Sequence, residues 1–193
     1  MTRKTRATPA QILRESASIK LALARTHAGV FSRASRLMVR ALKTGHKILV
    51  FGNGGSAADA QHIAAEITGR FSRERRGYPA LALTTDTSVI TSVANDFGFE
   101  QVYARQVQAL ARRGDLVIAL STSGNSPNIL EGIRAARKAG AAVIGLTGAG
   151  GGAMAQMCDI IFAVPSKSTP RIQEAHITIG HILCEATDEA ISS

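Results

Sequence analysis

The chain has 193 residues, of which 45% are hydrophobic and 19% are charged, so it is long enough for one domain with a substantial core. No apolar run reaches the roughly 20 residues that a membrane helix needs, and the sequence predicts no membrane partner. The net charge is +9, but aromatic residues make up only 4% and do not alternate with basic ones. That composition argues against a nucleic-acid-binding surface.

The N-terminus and the cysteines bear on the compartment. Residues 1–8 form a basic segment that we expect to be a flexible tail, and no apolar stretch of the signal-peptide kind follows it. Cys158 and Cys184 lie in apolar surroundings without CxxC spacing, as buried and reduced thiols do. The sequence therefore predicts a cytoplasmic protein.

The spacing of apolar residues predicts two leading helices, at 9–25 and 30–43, after which strands and helices alternate. We predict strands at 47–51, 80–84, 115–120, 142–147 and 159–164, and helices at about 57–69, 99–112, 127–139 and 171–190. This order predicts an α/β fold, a five-stranded parallel sheet flanked by helices in the flavodoxin-like manner. All 193 residues are expected to form one domain, with the leading helices (9–44) packed on the sheet or on a partner subunit.

Two loops rich in glycine and serine follow predicted strands and lead into predicted helices. Residues 52–56 read Gly-Asn-Gly-Gly-Ser, and residues 121–126 read Ser-Thr-Ser-Gly-Asn-Ser. Such junctions combine backbone amides, hydroxyls and the positive end of a helix dipole, which suits a phosphate group. A third hydroxyl-bearing segment, 84–88, is expected at the same rim of the sheet. Since neither loop is followed by a P-loop lysine, we expect a small phosphorylated ligand rather than a nucleoside triphosphate.

The first loop has a second interpretation, because residues 52–57 also fit the dinucleotide-binding pattern G-x-G-x-x-A. That pattern requires an acidic residue about 20 positions further on, at the end of the second strand. The nearest acidic residue at a strand end is Asp86, which is much further along. Ser56 and the second loop have no role in dinucleotide binding, so this is the weaker interpretation.

His62 and Glu66 lie four residues apart on the helix predicted after the first loop, and therefore share one face. An imidazole and a carboxylate at this spacing can form half of a divalent metal site, although an ordinary surface pair has the same pattern. The last predicted helix carries Gln173 and His181, which are about 80° apart around its axis and can point into one cavity. The apolar setting of this helix, which also holds His176, equally fits hydrogen-bonded core histidines.

Asp96 belongs to the Asn-Asp-Phe-Gly segment at 95–98, which precedes the helix predicted at 99–112. An aspartate in this context is ordinarily a helix cap or a turn residue. Its expected position at the rim of the sheet also leaves open a role in catalysis or in binding a substrate hydroxyl.

Together these motifs resemble the sugar isomerase (SIS) family and, within it, the phosphoheptose isomerases. The resemblance covers nearly the whole chain and rests on segments 51–62, 66–71, 95–98, 121–126 and 171–176, together with His181. The serine loops by themselves resemble the broad family, whereas the combination of His62, Glu66, Gln173 and His181 is more specific. Some members of the family carry an aspartate where this chain has Pro170.

The resemblance implies a role for each matching residue. The implied substrate-binding residues are Asn53, Gly54, Gly55, Ser56, Glu66, Asp96, Ser121, Thr122, Ser123, Ser126 and Gln173, of which the four serines would hold the phosphate. The implied ligands of one zinc ion (Zn2+) per chain are His62, Glu66, Gln173 and His181. Glu66 and His181 would also be the catalytic proton-transfer pair.

The implied reaction converts the ketose sedoheptulose 7-phosphate to D-glycero-D-manno-heptose 7-phosphate through an enediol. It would supply bacterial heptose for lipopolysaccharide or capsule, and the implied assembly is a homotetramer. A carboxylate and an imidazole suit the proton transfers of such a reaction. A carboxylate that coordinates a metal is a weaker base, so the sequence leaves open whether the zinc is catalytic or structural.

Two alternatives of another class share this architecture. One is a tetrameric adaptor that binds a replication-initiation protein, and the other is a sugar-phosphate sensor fused to a DNA-binding domain. We expect no DNA-binding domain in this chain. An adaptor has no need of four metal-site residues, so their presence favours an enzyme.

Overall fold

The structure is a computed structural model that describes residues 7–191. Residues 1–6 of the predicted tail lie outside the described residues, whereas Thr8 caps the first helix. The Thr8 hydroxyl accepts a hydrogen bond from the backbone amide of Gln11 at 3.3 Å, and the Gln11 side chain accepts one from the Thr8 amide at 2.8 Å. This capping box, followed by Pro9 at the first helical position, fixes where the chain becomes helical.

After two leading helices, strands and helices alternate as the sequence predicts, and one further helix, at Thr87–Phe97, was not predicted. The helices are α1 (Pro9–Thr26), α2 (Ala28–Lys43), α3 (Gly55–Thr68), α4 (Thr87–Phe97), α5 (Val102–Leu110), α6 (Pro127–Lys138) and α7 (Thr169–Ile191). The strands are β1 (Ile48–Gly52), β2 (Ala80–Ala82), β3 (Leu116–Ser121), β4 (Ala142–Thr147) and β5 (Ile160–Ala163). All neighbouring strands are parallel and their order is β2-β1-β3-β4-β5. The predicted α/β fold with a flavodoxin-like sheet is therefore confirmed.

Helices cover both faces of the sheet, and each face has its own core. Along β1, Ile48 and Val50 pack into the core beneath α1, α2, α3 and α7, while Leu49 and Phe51 pack beneath α5 and α6. This alternation follows from the two-residue period of a strand. It explains why the strands read as continuous apolar runs.

The helix α4 was not predicted, and the position of Asp96 was predicted wrongly. Asp86 caps α4, because its Oδ1 accepts a hydrogen bond from the Val89 amide at 3.0 Å. Asp96 therefore lies in the last turn of α4 and does not cap the following helix. The β-branched content of α4 lowers its helix propensity, and none of its residues is buried, so the sequence carries neither of the usual helical signals.

Both cysteines have free thiols, with Cys184 buried and Cys158 partly buried. Burial raises the pKa of each thiol to about 12, which makes both poor nucleophiles at neutral pH. None of the helices within residues 7–191 combines the length and the apolar composition that crossing a bilayer requires.

Candidate active site

The two serine-containing loops meet at one cavity. Strands β1 and β3 are neighbours in the sheet, so the loops that follow them lie side by side at its carboxyl edge. Between them is a cavity of about 280 Å³, lined by Asn53, Gly54, Gly55, Ser56, Leu120, Ser121, Thr122, Ser126, Thr169 and Gln173. The fold thus brings most of the implied substrate-binding residues to one place, and adds Leu120 and Thr169 to them.

Three serine hydroxyls of the second loop lie together; Ser121 and Ser126 line this cavity, and Ser123 lies next to Ser121 but is not among the lining residues. The Oγ atom of Ser121 lies 3.0 Å from that of Ser126 and 3.4 Å from that of Ser123. Ser126 is the N-cap residue of α6, but its side chain makes no capping hydrogen bond. Ser56, from the first loop, is almost fully buried at the same cavity. A cluster of hydroxyls at two helix starts suits an anionic oxygen-rich group.

The sequence interpretation missed two residues that hold this part of the first loop, Asn128 on Asn53 and Tyr103 on Gly52. The Asn53 Nδ2 donates to Asn128 Oδ1 at 2.9 Å, and the Asn128 Nδ2 donates to Asn53 Oδ1 at 2.8 Å. The Tyr103 hydroxyl donates to the carbonyl of Gly52, and burial raises its pKa to about 12, which keeps this donor protonated. Asn128 had one available signal, because it lies two residues after the end of the second loop.

A second cluster joins α3 to α7. The His62 Nε2 lies 3.1 Å from Glu66 Oε1 and 3.0 Å from His181 Nε2, and one ligand atom from each residue falls within 4.8 Å of the others. In a tetrahedral zinc site with metal–ligand distances near 2.0–2.2 Å, ligand atoms lie roughly 3.3 Å apart. Two imidazoles and a carboxylate at these separations fit a divalent cation such as zinc.

Gln173 connects the cluster to the cavity, because it lies eight residues before His181 on α7 and lines the cavity. Its amide packs against Gly55 so closely that a Cβ on that glycine would come 2.5 Å from Gln173 Nε2. Helix α3 makes the same connection, since it begins at Gly55 and carries His62 and Glu66. Helices α3 and α7 therefore both run from the cavity to the cluster, and Gln173 lies at the cavity end, about 12 Å along the axis of α7 from His181.

Three other residues named from the sequence lie apart from this arrangement. Asp96 is exposed on α4, accepts a hydrogen bond from Asn95 at 2.8 Å, and is not among the residues that line the cavity. His176 is a core residue whose Nε2 donates to the carbonyl of Thr147 at 3.2 Å; burial lowers its pKa to about 4 and keeps it neutral. Pro170 is the second residue of α7 and follows Thr169, which lines the cavity.

Asp59 is a further polar residue near the cluster that the sequence interpretation missed. It lies on α3 one turn before His62, and its Oδ2 is buried without a hydrogen-bond partner among the described residues. Burial raises the pKa of this carboxyl, and the electrostatic interaction with His62 opposes that rise. The electrostatic environment of His62 therefore includes Asp59 as well as Glu66.

Comparison with known proteins shows which family the chain belongs to. The family model for the SIS domain matches residues 12–148. The chain is 52% identical over 181 residues to the phosphoheptose isomerase of Aquifex aeolicus, covering 94% of this chain and 95% of that protein. The solved phosphoheptose isomerases from Neisseria gonorrhoeae and Francisella tularensis superpose with TM-scores of 0.89 and 0.90, at 44% and 39% identity. Each comparison covers 93% of this chain and 96% of the other.

Proposed function

Because this chain belongs to the phosphoheptose isomerases of the SIS domain family, it is an isomerase, and we propose that it interconverts sedoheptulose 7-phosphate and D-glycero-D-manno-heptose 7-phosphate. The observation that carries this proposal is that α3 and α7 each run from the hydroxyl-lined cavity to the His62, Glu66 and His181 cluster. His62 and Glu66 are six and ten residues beyond Ser56, about 9 and 15 Å along the axis of α3. An extended seven-carbon sugar phosphate has a comparable length.

In this proposal the phosphate binds to Ser56, Ser121, Ser123 and Ser126, and the reacting carbons lie at the cluster. The Glu66 carboxylate removes a proton from C1 of the ketose to give an enediolate, His181 delivers a proton to C2, and the hydroxyl proton of O1 passes to O2, which leaves the aldose. Asn53 binds sugar hydroxyls and is oriented by its paired amide contacts to Asn128. The hydroxyl-binding role of Asp96 stays a prediction, because Asp96 does not line the cavity. Thr122 lines the same cavity as the phosphate-binding serines, and its role at the reacting end stays a prediction.

We propose that one zinc ion per chain is held by His62, Glu66, Gln173 and His181. When bound, the ion would polarise the carbonyl oxygen of the sugar and stabilise the negative charge that develops there. The donor set of two imidazoles, a carboxylate and an amide oxygen suits this cation.

Purified protein is expected to contain about one zinc per chain and to convert sedoheptulose 7-phosphate to the aldose, with activity lost on chelation and restored by zinc. The measurement combines elemental analysis with a coupled aldose assay. His62→Ala should lower the zinc content, whereas His46→Ala, at a histidine outside the cluster, should leave it unchanged. Active protein that holds no divalent cation would rule out a required metal.

A homotetramer is also part of the proposal. Helix α1 exposes Leu13 and Leu21, which are 70% and 58% accessible, and an apolar groove of about 990 Å³ runs between α2 and α7. Apolar surface of this extent on a single chain is usually covered by a partner. Light scattering at micromolar concentration should give four times the chain mass, and a monomer mass would contradict the assembly.

We place the reaction in heptose biosynthesis for lipopolysaccharide or capsule, in the cytoplasm. The names of the relatives support the heptose phosphate substrate, and the two free thiols agree with a reducing compartment. Loss of heptose from the surface polysaccharide on deletion of the gene is the test.

A further inference from the structure

The segment 70–76, after α3, is tied to α7 by a single buried carboxylate. Asp188 is fully buried, and its Oδ2 accepts hydrogen bonds from the amides of Phe71, Ser72 and Arg73 at 3.3, 3.0 and 3.3 Å. Its Oδ1 accepts a charge-assisted hydrogen bond from Arg75 Nε at 2.6 Å. Four donors therefore hold this segment on one acidic side chain.

Arg75 extends the same network to the carboxyl end of α3. Its side chain is 8% exposed, and its guanidinium donates to the carbonyls of Glu66 at 3.0 Å, Ile67 at 2.9 Å and Gly69 at 3.2 Å. The last carbonyls of a helix have no partner within the helix, so a buried cation that satisfies them fixes the final turn. The final turn of α3 includes the backbone of Glu66, so Arg75 holds the residue whose side chain belongs to the cluster.

The network also reaches His181. The ring of Phe71, whose amide is bonded to Asp188, lies 5.5 Å from the ring of His181, centroid to centroid. Asp188 is seven residues beyond His181 on α7, which is two turns along the same face. One buried ion pair therefore connects the backbone of Glu66 with the side chain packed on His181.

We propose that Arg75 and Asp188 are positioning residues that hold Glu66 and His181 at the separation that proton transfer requires. This inference rests on the proposed roles of Glu66 and His181 in isomerisation. A buried ion pair is often no more stabilising than an apolar pair of similar volume, so stability alone does not account for it. Small displacements of reacting groups are costly, since about 1 Å can reduce a rate by about 10²-fold.

The chain offers a matched control in a second buried aspartate. Lys47 and Asp115 form a second ion pair, also 2.6 Å long, in which Asp115 is nearly fully buried and accepts from the amides of Lys47 and Arg112. Asp188→Asn and Asp115→Asn are thus the same substitution in two similar environments. Only Asp188 is connected to Glu66 and His181.

Asp188→Asn and Arg75→Lys are expected to lower kcat by about tenfold to a hundredfold per folded molecule, with KM within about twofold of the wild type. Asp115→Asn should lower the melting temperature but keep the wild-type kcat. Unchanged kcat in both Asp188→Asn and Arg75→Lys, or an equal fall in Asp115→Asn, would overturn the inference.

A further variant and an NMR measurement test the inference if Asp188→Asn does not fold or if the protein does not isomerise the sugar. If Asp188→Asn does not fold, Phe71→Leu tests the contact to His181 with both charges in place, and it too should lower kcat rather than raise KM. In metal-free protein, the NMR signal of the His181 ring should lose its ring-current shift in Arg75→Lys and keep it in Asp115→Asn. If the wild type does not isomerise the sugar, the proposed function is wrong, and this NMR comparison alone decides the positioning of His181.

Discussion

Replacing Glu66 with glutamine is expected to lower kcat by about 10²-fold or more while substrate binding stays close to that of the wild type. Glutamine has nearly the same shape as glutamate but cannot accept the C1 proton. The loss should therefore appear both in aldose formation and in exchange of the C1 proton with deuterated solvent. Steady-state kinetics and NMR of the recovered ketose measure the two effects separately.

Two other variants make this result interpretable. His181→Gln should behave in the same way, with an added loss of zinc, because His181 lies within reach of His62 and Glu66. Glu131→Gln changes the net charge equally but alters only a surface pair with Arg134, so its kcat should not change. If Glu66→Gln is as active as the wild type, the protein is still an isomerase but another group is the base. If the wild type neither isomerises the ketose nor exchanges its C1 proton, the adaptor function is favoured.

The fold was predictable because its signals are local. Capping residues and strand–loop–helix junctions mark each unit, as Thr8 and Pro9 do for α1 and Ser126 and Pro127 do for α6. Helix α4 lacked such a signal apart from Asp86, because its residues do not favour a helix strongly and only Val93 and Ala94 pack, partly buried, against the core. Its helical state depends on contacts with the elements that follow it, which the spacing of residues does not reveal.

The site also has parts that depend on local sequence and parts that depend on long-range contacts. The serine loops and the His62–Glu66 pair lie within short segments, so spacing along the sequence was sufficient to propose them. The ion pair between Arg75 and Asp188 joins residues 113 positions apart, and neither has a neighbour that marks it as buried. The exchange of amide hydrogen bonds between Asn53 and Asn128, 75 positions apart, is equally invisible in sequence. Long-range polar contacts depend on the finished packing of the domain.

Replacing both Ser121 and Ser123 with alanine is expected to weaken substrate binding by about 1–3 kcal/mol, which corresponds to a rise in KM of roughly 5- to 150-fold. The two hydroxyls lie 3.4 Å apart, and Ser121 also contacts Ser126 at 3.0 Å, so all three can face the same anion. Hydrogen bonds from hydroxyls to a phosphate are charge-assisted, and their loss is not compensated by water inside a narrow cavity. Steady-state kinetics and competition by inorganic phosphate measure the change.

A comparison of the phosphorylated with the unphosphorylated sugar provides the control for this prediction. The double variant should lose discrimination between sedoheptulose 7-phosphate and sedoheptulose, because only the first compound uses the serine hydroxyls. Ser166→Ala removes a hydroxyl from a neighbouring loop, where Ser166 accepts a hydrogen bond from the Ser168 amide and does not line the cavity. That variant should keep the wild-type KM. An unchanged KM in the double variant, or equal losses for the phosphorylated and unphosphorylated sugars, would remove Ser121 and Ser123 from the phosphate site.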